Sequence, residues 1–201
     1  MRIIKYALGP FVENTYLIID KKDILVVDPG FMVKGILEEY QDYNFKGVLL
    51  THAHIDHIAS IGLFSCPIYI AKEEYYALED DNYNLYALYD QKHPYNLFDL
   101  NVIQMENKDI ITFNNHQIKM ILTPGHTKGS CLYLLDDNYL FTGDTLFKDA
   151  VGRTDLPGGS SNALKQSLEI IKKMANHIVV YPGHDEMTTI GDEKKNNLFL
   201  K

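Results

Sequence analysis

Thr51-His52-Ala53-His54-Ile55-Asp56-His57 gathers three of the chain's eight histidines and an aspartate into one short run. At this chain's own His and Asp frequencies, the pattern His-x-His-x-Asp-His would arise by chance in roughly one such chain in a thousand. Imidazole and carboxylate together suit Zn²⁺, Fe²⁺ and Mn²⁺, at bond lengths near ~2.1 Å. In an extended loop, residues i and i+2 point to one side, so His52 and His54 can share a metal. Asp56 and His57 face away from that pair, which suits a second metal close by.

Outward from this stretch, Lys46–Leu50 reads as a buried strand that runs directly into it. Three further strands end in the same way. Gln117–Leu122 leads to Thr123-Pro124-Gly125-His126, Tyr139–Phe141 to Thr142-Gly143-Asp144, and Ile178–Val180 to Tyr181-Pro182-Gly183-His184. Pro-Gly is a tight-turn pair that fixes the chain just before each of the two histidines. Strand ends along one edge of a sheet can bring loop residues to one point, so one site built from four loops is expected. Asp144 is the candidate bridge between two metals, because a carboxylate can bridge where a neutral imidazole cannot. Asp28, which ends a short strand before Pro29-Gly30, reads either as a partner of a ligand histidine or as a turn residue. His93, His116 and His177 fall outside the pattern and are expected in the core or on the surface.

The rest of the chain alternates strands and helices. Arg2–Ala7, Asn14–Ile19, Asp23–Asp28 and Cys66–Ala71 have strand character. Val33–Tyr40, Lys72–Leu78 and Asn162–Ala175 have helical spacing, the last with Ser160 or Ser161 as its N-cap. From Asp56 to Phe64 the apolar residues also fall at helix-compatible intervals, and Asp136-Asp137-Asn138 turns a hairpin. Residues 79–100, rich in Tyr and Asn, show no period; they read either as a surface segment with a short helix or as a lid over the site.

Composition narrows the function classes. At 201 residues, with 46% hydrophobic and 23% charged, the chain is expected to fold as one globular domain. A net charge of −8 with no Lys/Arg cluster argues against a nucleic-acid surface. No apolar run approaches the ~20 residues of a membrane span, and Met1-Arg2-Ile3-Ile4-Lys5 runs into a strand without a signal-peptide core. A cytoplasmic protein without a membrane partner is therefore expected. Cys66 and Cys131 lack CxxC spacing and are expected as small buried hydrophobes.

Thr51–His57, Thr123-Pro124-Gly125-His126-Thr127, Thr142-Gly143-Asp144-Thr145 and Tyr181-Pro182-Gly183-His184 together resemble the metallo-β-lactamase fold superfamily over nearly the whole chain. Leu146-Phe147, the stretch Gly152-Arg153-Thr154-Asp155-Leu156-Pro157-Gly158-Gly159, and Thr188–Lys194 are similar to the short bacterial proteins of the glyoxalase II (hydroxyacylglutathione hydrolase) group. The resemblance implies an α/β fold, a four-layer αββα sandwich, with residues 1–201 as a single metal-dependent hydrolase domain. It implies one divalent metal on His52, His54 and His126, a second on Asp56, His57 and His184, and Asp144 bridging. Zinc is the expected pair of ions, with iron or manganese as alternatives. Many true β-lactamases of this fold carry a Cys where this chain has Asp144, a flavodiiron protein would want a Glu at His54, and a nuclease would carry large insertions.

The activity so implied is cleavage of a small-molecule thioester, an S-acylglutathione such as S-lactoylglutathione or a relative, by a monomer or small homo-oligomer. Two close cations acidify a shared water enough to supply hydroxide near neutral pH, so no Ser or Cys nucleophile is required, and Asp56 and Asp144 would orient the attack. Two-domain glyoxalase II enzymes add a helical domain that contacts glutathione; this chain ends at Lys201, so those contacts are not expected. Lys148 and Arg153 follow Asp144 and could meet an anionic substrate, although Arg153 could equally pair with Asp155. A persulfide dioxygenase also resembles the chain in its Gly-Arg-Thr-Asp stretch; it would hold one iron on His52, His126 and Asp144, leaving positions open for oxygen.

Overall fold

Strands that are buried on both faces need a covering layer on each side, and Glu13–Asp20, Asp23–Val27 and Cys131–Leu135 are of that kind. The computed structural model describes residues 1–201. The first sheet runs in chain order: β1 (Arg2–Leu8), β2 (Glu13–Asp20), β3 (Asp23–Val27), β4 (Asn44–Leu49), β5 (Ile68–Ala71) and β6 (Val102–Met105). β1–β3 pair antiparallel, and β3–β6 pair parallel. Parallel strands require crossovers, supplied by α1 (Lys34–Glu39), by α2 (Ile55–Ile58) with a following 3₁₀ turn, and by residues 72–101.

The second sheet contains β7 (Ile110–Phe113), β8 (His116–Leu122), β9 (Cys131–Leu135) and β10 (Tyr139–Gly143), all antiparallel. A small hairpin follows, β11 (Leu146–Phe147) with β12 (Ala150–Val151). After α3 (Ser161–Lys172), β13 (Val179–Pro182) joins parallel to β10, β14 (Thr188–Thr189) forms the edge, and α4 (Ile190–Asn196) closes the fold.

The period-2 alternation of side chains explains the layering. Tyr16, Ile18, Leu25, Val27, Tyr133 and Leu135 point between the sheets. Their neighbours Leu17, Ile19, Ile24 and Val26 point outward, under α1, α2 and residues 83–97. Leu132, Leu134 and Leu140 point to the opposite outside, where Leu164, Leu168 and Ile171 of α3 cover them at helical spacing. The result is the expected four-layer αββα sandwich. No helix is long and apolar enough to cross a membrane.

Several elements differ from their sequence reading. The four ligand-bearing strands do not share one sheet: β4 lies in the first, whereas β8, β10 and β13 lie in the second. Lys72–Leu78 contains only a 3₁₀ turn, Tyr75–Leu78, and β5 begins at Ile68 because Pro67 has no N–H to offer a ladder. β6 and β7 carry no clear strand signal. Ser160 is the N-cap of α3, its Oγ accepting from the Ala163 N–H. Cys131 is buried but Cys66 only half-buried. Residues 79–100 hold the short 3₁₀ helix Tyr86–Tyr89 and mix exposed side chains such as Leu88 and Phe98 with Tyr83, Leu85, Tyr86, Tyr95 and Leu97, which are buried in the outer core of the first sheet.

Candidate metal centre

The loops after β4, β8, β10 and β13 meet at the rim shared by the two sheets. His52, His54 and His126 offer ring nitrogens that all lie within 4.8 Å of one another, and the donor atoms of Asp56, His57 and His184 do the same. Asp144 stands between the two groups. Its Oδ1 lies 3.4 Å from His57 Nε2, and its Oδ2 lies 3.5 Å from His126 Nε2 and 3.7 Å from His184 Nε2. Asp56 Oδ2 is 3.2 Å from His184 Nε2 and 3.6 Å from His57 Nε2. Donors about 2.1 Å from a shared tetrahedral ion are roughly 3.4 Å apart, so these spacings fit metal-ligand shells. All seven predicted residues are brought together, whereas His93, His116 and His177 lie elsewhere. His93 pairs with Asp81 and His116 with Asp136.

The hydrogen bonds on the outer side of the cluster set which atoms face inward. His126 Nδ1 donates to the Arg153 carbonyl at 2.8 Å, and His57 Nδ1 donates to Asp28 Oδ2 at 3.0 Å. Asp28 also accepts from the Thr51 N–H and the Thr51 hydroxyl. Having donated its proton to Asp28, that hydroxyl can only accept from His52 Nδ1, 3.1 Å away. Nε2 of His52, His57 and His126 is thereby turned into the cluster. Asp28 answers to both of its readings: its side chain accepts from His57 Nδ1, and its backbone, at φ +49°, turns the chain so that Gly30 N donates to its carbonyl. His54 turns its Nδ1 into the cluster, 2.9 Å from His126 Nε2, and His52 Nε2, His57 Nε2 and Asp144 Oδ1 are buried without any hydrogen-bond partner. Buried polar atoms left so cost free energy, and divalent cations among them would answer that cost. The residues present therefore fit a metal pair.

The electrostatics point the same way. Burial, helped by His57 and His54 nearby, pushes the His52 imidazole well below its usual range, and burial pushes His54 to about 3. Burial opposes charge on His57 as well, but Asp56 and Asp144 outweigh it and hold this imidazole well above its usual range. Asp144 stays well below the usual carboxylate range despite burial, chiefly because of His57. Neutral His52 and His54 beside the ionised Asp144, and a His57 whose proton is held by carboxylates, make a pocket in which the acidic groups attract positive charge.

Three buried glutamates that carried no sequence signal hold these loops in place. Glu74 accepts from the N–H of Ala53, between His52 and His54, and from the N–H of Gly129, in the loop after His126. Burial lifts its carboxyl to about 7. Glu13 Oε1 accepts from Phe31 N at 2.8 Å. Glu193 accepts from Asp149 N, the Thr188 hydroxyl and Asn197. From the first sheet, Asn14 Nδ2 and the Tyr16 hydroxyl both donate to the Pro182 carbonyl and anchor the turn before His184. On the other side, α3 holds the Pro124-Gly125 turn: Ser160 N donates to the Gly125 carbonyl, and Ser167 Oγ to that of Pro124.

A cavity of about 260 Å³ opens onto the cluster between His54, Asp56, His126, Asp144 and His184 on one side and mostly apolar side chains on the other. Leu85, Leu88 and Tyr89 contribute to that wall, so residues 79–100 border the site as the lid reading expected. Arg153 also lines it, with its guanidinium held bidentately by Asp155 at 2.7 and 2.6 Å. Lys148 does not reach the cavity and pairs with Glu186 at the surface. A larger groove of about 640 Å³, between Ala59 and Leu100, contains no histidine and lies away from the donors.

Residues 8–184 match the family described as the metallo-beta-lactamase superfamily. An uncharacterised protein of Aquifex aeolicus is 34% identical over 200 residues, 96% of this chain and 93% of that one. A probable metallo-hydrolase of Methanocaldococcus jannaschii is 36% identical over 197 residues, 90% of each chain. A hydroxyacylglutathione hydrolase, GloC, of Haemophilus influenzae is 28% identical over 94% of this chain and 93% of its own. Among solved structures, the BLEG-1 B3 metallo-beta-lactamase superposes over both full chains with a TM-score of 0.87 and 29% identity. TTHA1623, solved in a di-iron-bound form, gives 0.84 at 28% identity over 98% of this chain and all of that one. ETHE1 from Myxococcus xanthus gives 0.78 at 27% identity, over 98% and 84%. The full-length likeness to a B3 enzyme is closer than the Cys-bearing lactamases considered from sequence would suggest.

Proposed function

This chain belongs to the metallo-beta-lactamase superfamily, whose fold binds divalent metals, and we propose that it is a binuclear metal-dependent hydrolase that cleaves a thioester. The substrate proposed is an S-acylglutathione such as S-lactoylglutathione, or a related thioester. The observation that carries this reading is the place of Asp144, within 3.4 to 3.7 Å of His57, His126 and His184, where one carboxylate can serve two ions.

His52, His54 and His126 would hold one ion, Asp56, His57 and His184 the other, with Asp144 shared; zinc is proposed, iron or manganese being compatible with the same donors. When bound, the ions supply Lewis acidity and an acidified water. Asp56 and Asp144 would accept hydrogen bonds from the attacking water and aim its oxygen at the thioester carbonyl carbon. The new C–O bond forms, the C–S bond breaks, and the departing sulfur takes up a proton, giving a carboxylic acid and a thiol. Asp28 and the Arg153 carbonyl keep the imidazoles of His57 and His126 from turning during this sequence. Arg153, and Lys148 farther out, would meet carboxylates of the thiol portion. Their present partners are exposed, and such pairs contribute only about 0–1 kcal/mol, so an anionic substrate can displace them.

A second reading draws on the closeness of His126 Nε2 to Asp144 Oδ2 and the T-shaped packing of His52 on His126. Two histidines and one carboxylate can hold a single iron with open positions, as a persulfide dioxygenase requires. Metal counting with turnover separates the two. Two ions per chain and anaerobic cleavage of S-lactoylglutathione support the hydrolase. One iron per chain with oxygen uptake on glutathione persulfide overturns it.

A further inference from the structure

The wall of the cavity opposite the metal donors is built from Phe11, Ile55, Leu85, Leu88, Tyr89 and Leu156. Phe11 packs edge-on against Tyr89 at 5.4 Å and tilts on Phe31 at 6.1 Å, so three separate segments join in one aromatic cluster. The wall is left partly open to solvent: Leu88 is 65% exposed and Tyr89 44%. Apolar surface is thus kept exposed at the mouth of the site. Exposed apolar surface of this kind marks ligand contact.

The chemistry of the wall decides which part of a substrate it can take. Five of these six side chains offer no hydrogen-bond partner to the amides and carboxylates of a peptide thiol, and only the Tyr89 hydroxyl could meet one. The other polar groups of the cavity lie on the opposite side, where His54, Asp56, His126, Asp144 and His184 would be committed to the metal pair. The sole cation lining the cavity is Arg153, already paired with Asp155. We propose that this wall is an acyl-binding site for an uncharged, bulky apolar acyl group, aliphatic or aromatic, larger and less polar than lactoyl. The proposal rests on the thioesterase reading and names the half of the substrate that reading left open.

The test holds the thiol constant as glutathione and varies the acyl group on metal-loaded protein. Burial of each methylene is worth about a 4-fold gain when complete, so hexanoyl and phenylacetyl thioesters should exceed the acetyl thioester in kcat/KM by at least about 10-fold. Succinyl, with its second carboxylate, should be poorest. Leu88→Ser, at an exposed position, should compress the hexanoyl-to-acetyl ratio several-fold. Equal turnover of acetyl and hexanoyl, a leading succinyl thioester, or an unchanged ratio in Leu88→Ser overturns the acyl site. If no thioester is cleaved, the hydrolase reading fails and the wall is decided by binding alone. Calorimetry on the metal-loaded protein should then show hexanoate binding at least about 10-fold tighter than acetate, and equal affinities overturn the proposal.

Discussion

Glu74 Oε1 accepts the backbone N–H of Ala53 at 3.1 Å, which places a fully buried carboxylate directly behind the loop that presents His52 and His54. Its other oxygen accepts from Gly129 N at 2.8 Å, so one side chain ties this loop to the one that follows His126. Burial raises its carboxyl from 4.5 to about 7. A folded-state pKa above the unfolded one means that the native state holds the extra proton between those values. The corresponding stability is present below pH 4.5 and is lost as pH rises through 7. Glu74→Gln removes the titration. Relative to wild type, the variant should therefore gain on the order of 1–3 kcal/mol between pH 5 and pH 8. Urea unfolding of both proteins, stripped of metal, at the two pH values measures this; a constant difference would exclude a buried titrating Glu74.

The four loops were legible because each follows a short strand that ends in apolar residues, and because Pro-Gly twice marks the turn before a histidine. Their distribution over two sheets was not legible, since period-2 alternation says which face is buried but not which strand is the neighbour. Glu13, Glu74 and Glu193 escaped notice for a related reason. A single glutamate in a turn, at the end of a strand or in a short helix has no periodic signature, and each of these three accepts from a backbone N–H far along the chain. Residues 79–100 looked irregular because their 3₁₀ turns, Tyr86–Tyr89 and Leu97–Asp99, are too short to establish a period. Only the packed structure shows Leu85 and Tyr86 turned into the core.

Asp144 is the residue whose loss should cost most. Its two oxygens lie within 3.7 Å of imidazoles from three different loops. Asp144→Ala should reduce kcat/KM by at least about 1000-fold, the scale of one strong charge-stabilising group, and should lower bound metal from two ions per chain toward one. Elemental analysis alongside turnover checks both. Full metal content together with wild-type turnover would refute a shared ligand.

Asp28 touches no predicted metal position, yet it orients His57 and both polar groups of Thr51. Asp28→Asn keeps the shape and removes the charge that holds His57 Nδ1–H. Metal affinity should fall roughly 10- to 100-fold, the usual effect of removing a hydrogen-bond partner from a ligand histidine. Competition against a chromogenic chelator reads the dissociation constants directly. An unchanged affinity for both ions would show that Thr51 and packing suffice to fix the ring.

Gly183 gives a prediction that separates the site from the fold. A Cβ added there would lie 2.2 Å from Asp144 Oδ1 and 2.8 Å from His57 Cε1, closer than real contacts allow. The residue has no left-handed φ, so alanine strains no backbone torsion and the collision falls on the donor cluster itself. Gly183 N also donates to the Gly143 carbonyl at 2.8 Å, a bond alanine preserves. Gly183→Ala should therefore retain the far-UV circular dichroism of the metal-free protein while its metal dissociation constant rises by about 10-fold or more. The side chains forced to move are the bridging carboxylate and a histidine on one side of it. The loss should consequently appear first in the ion assigned to Asp56, His57 and His184. A variant that binds both ions with wild-type affinity would mean that Asp144 can shift by more than an ångström without leaving the metals, which its contacts with three imidazoles do not permit.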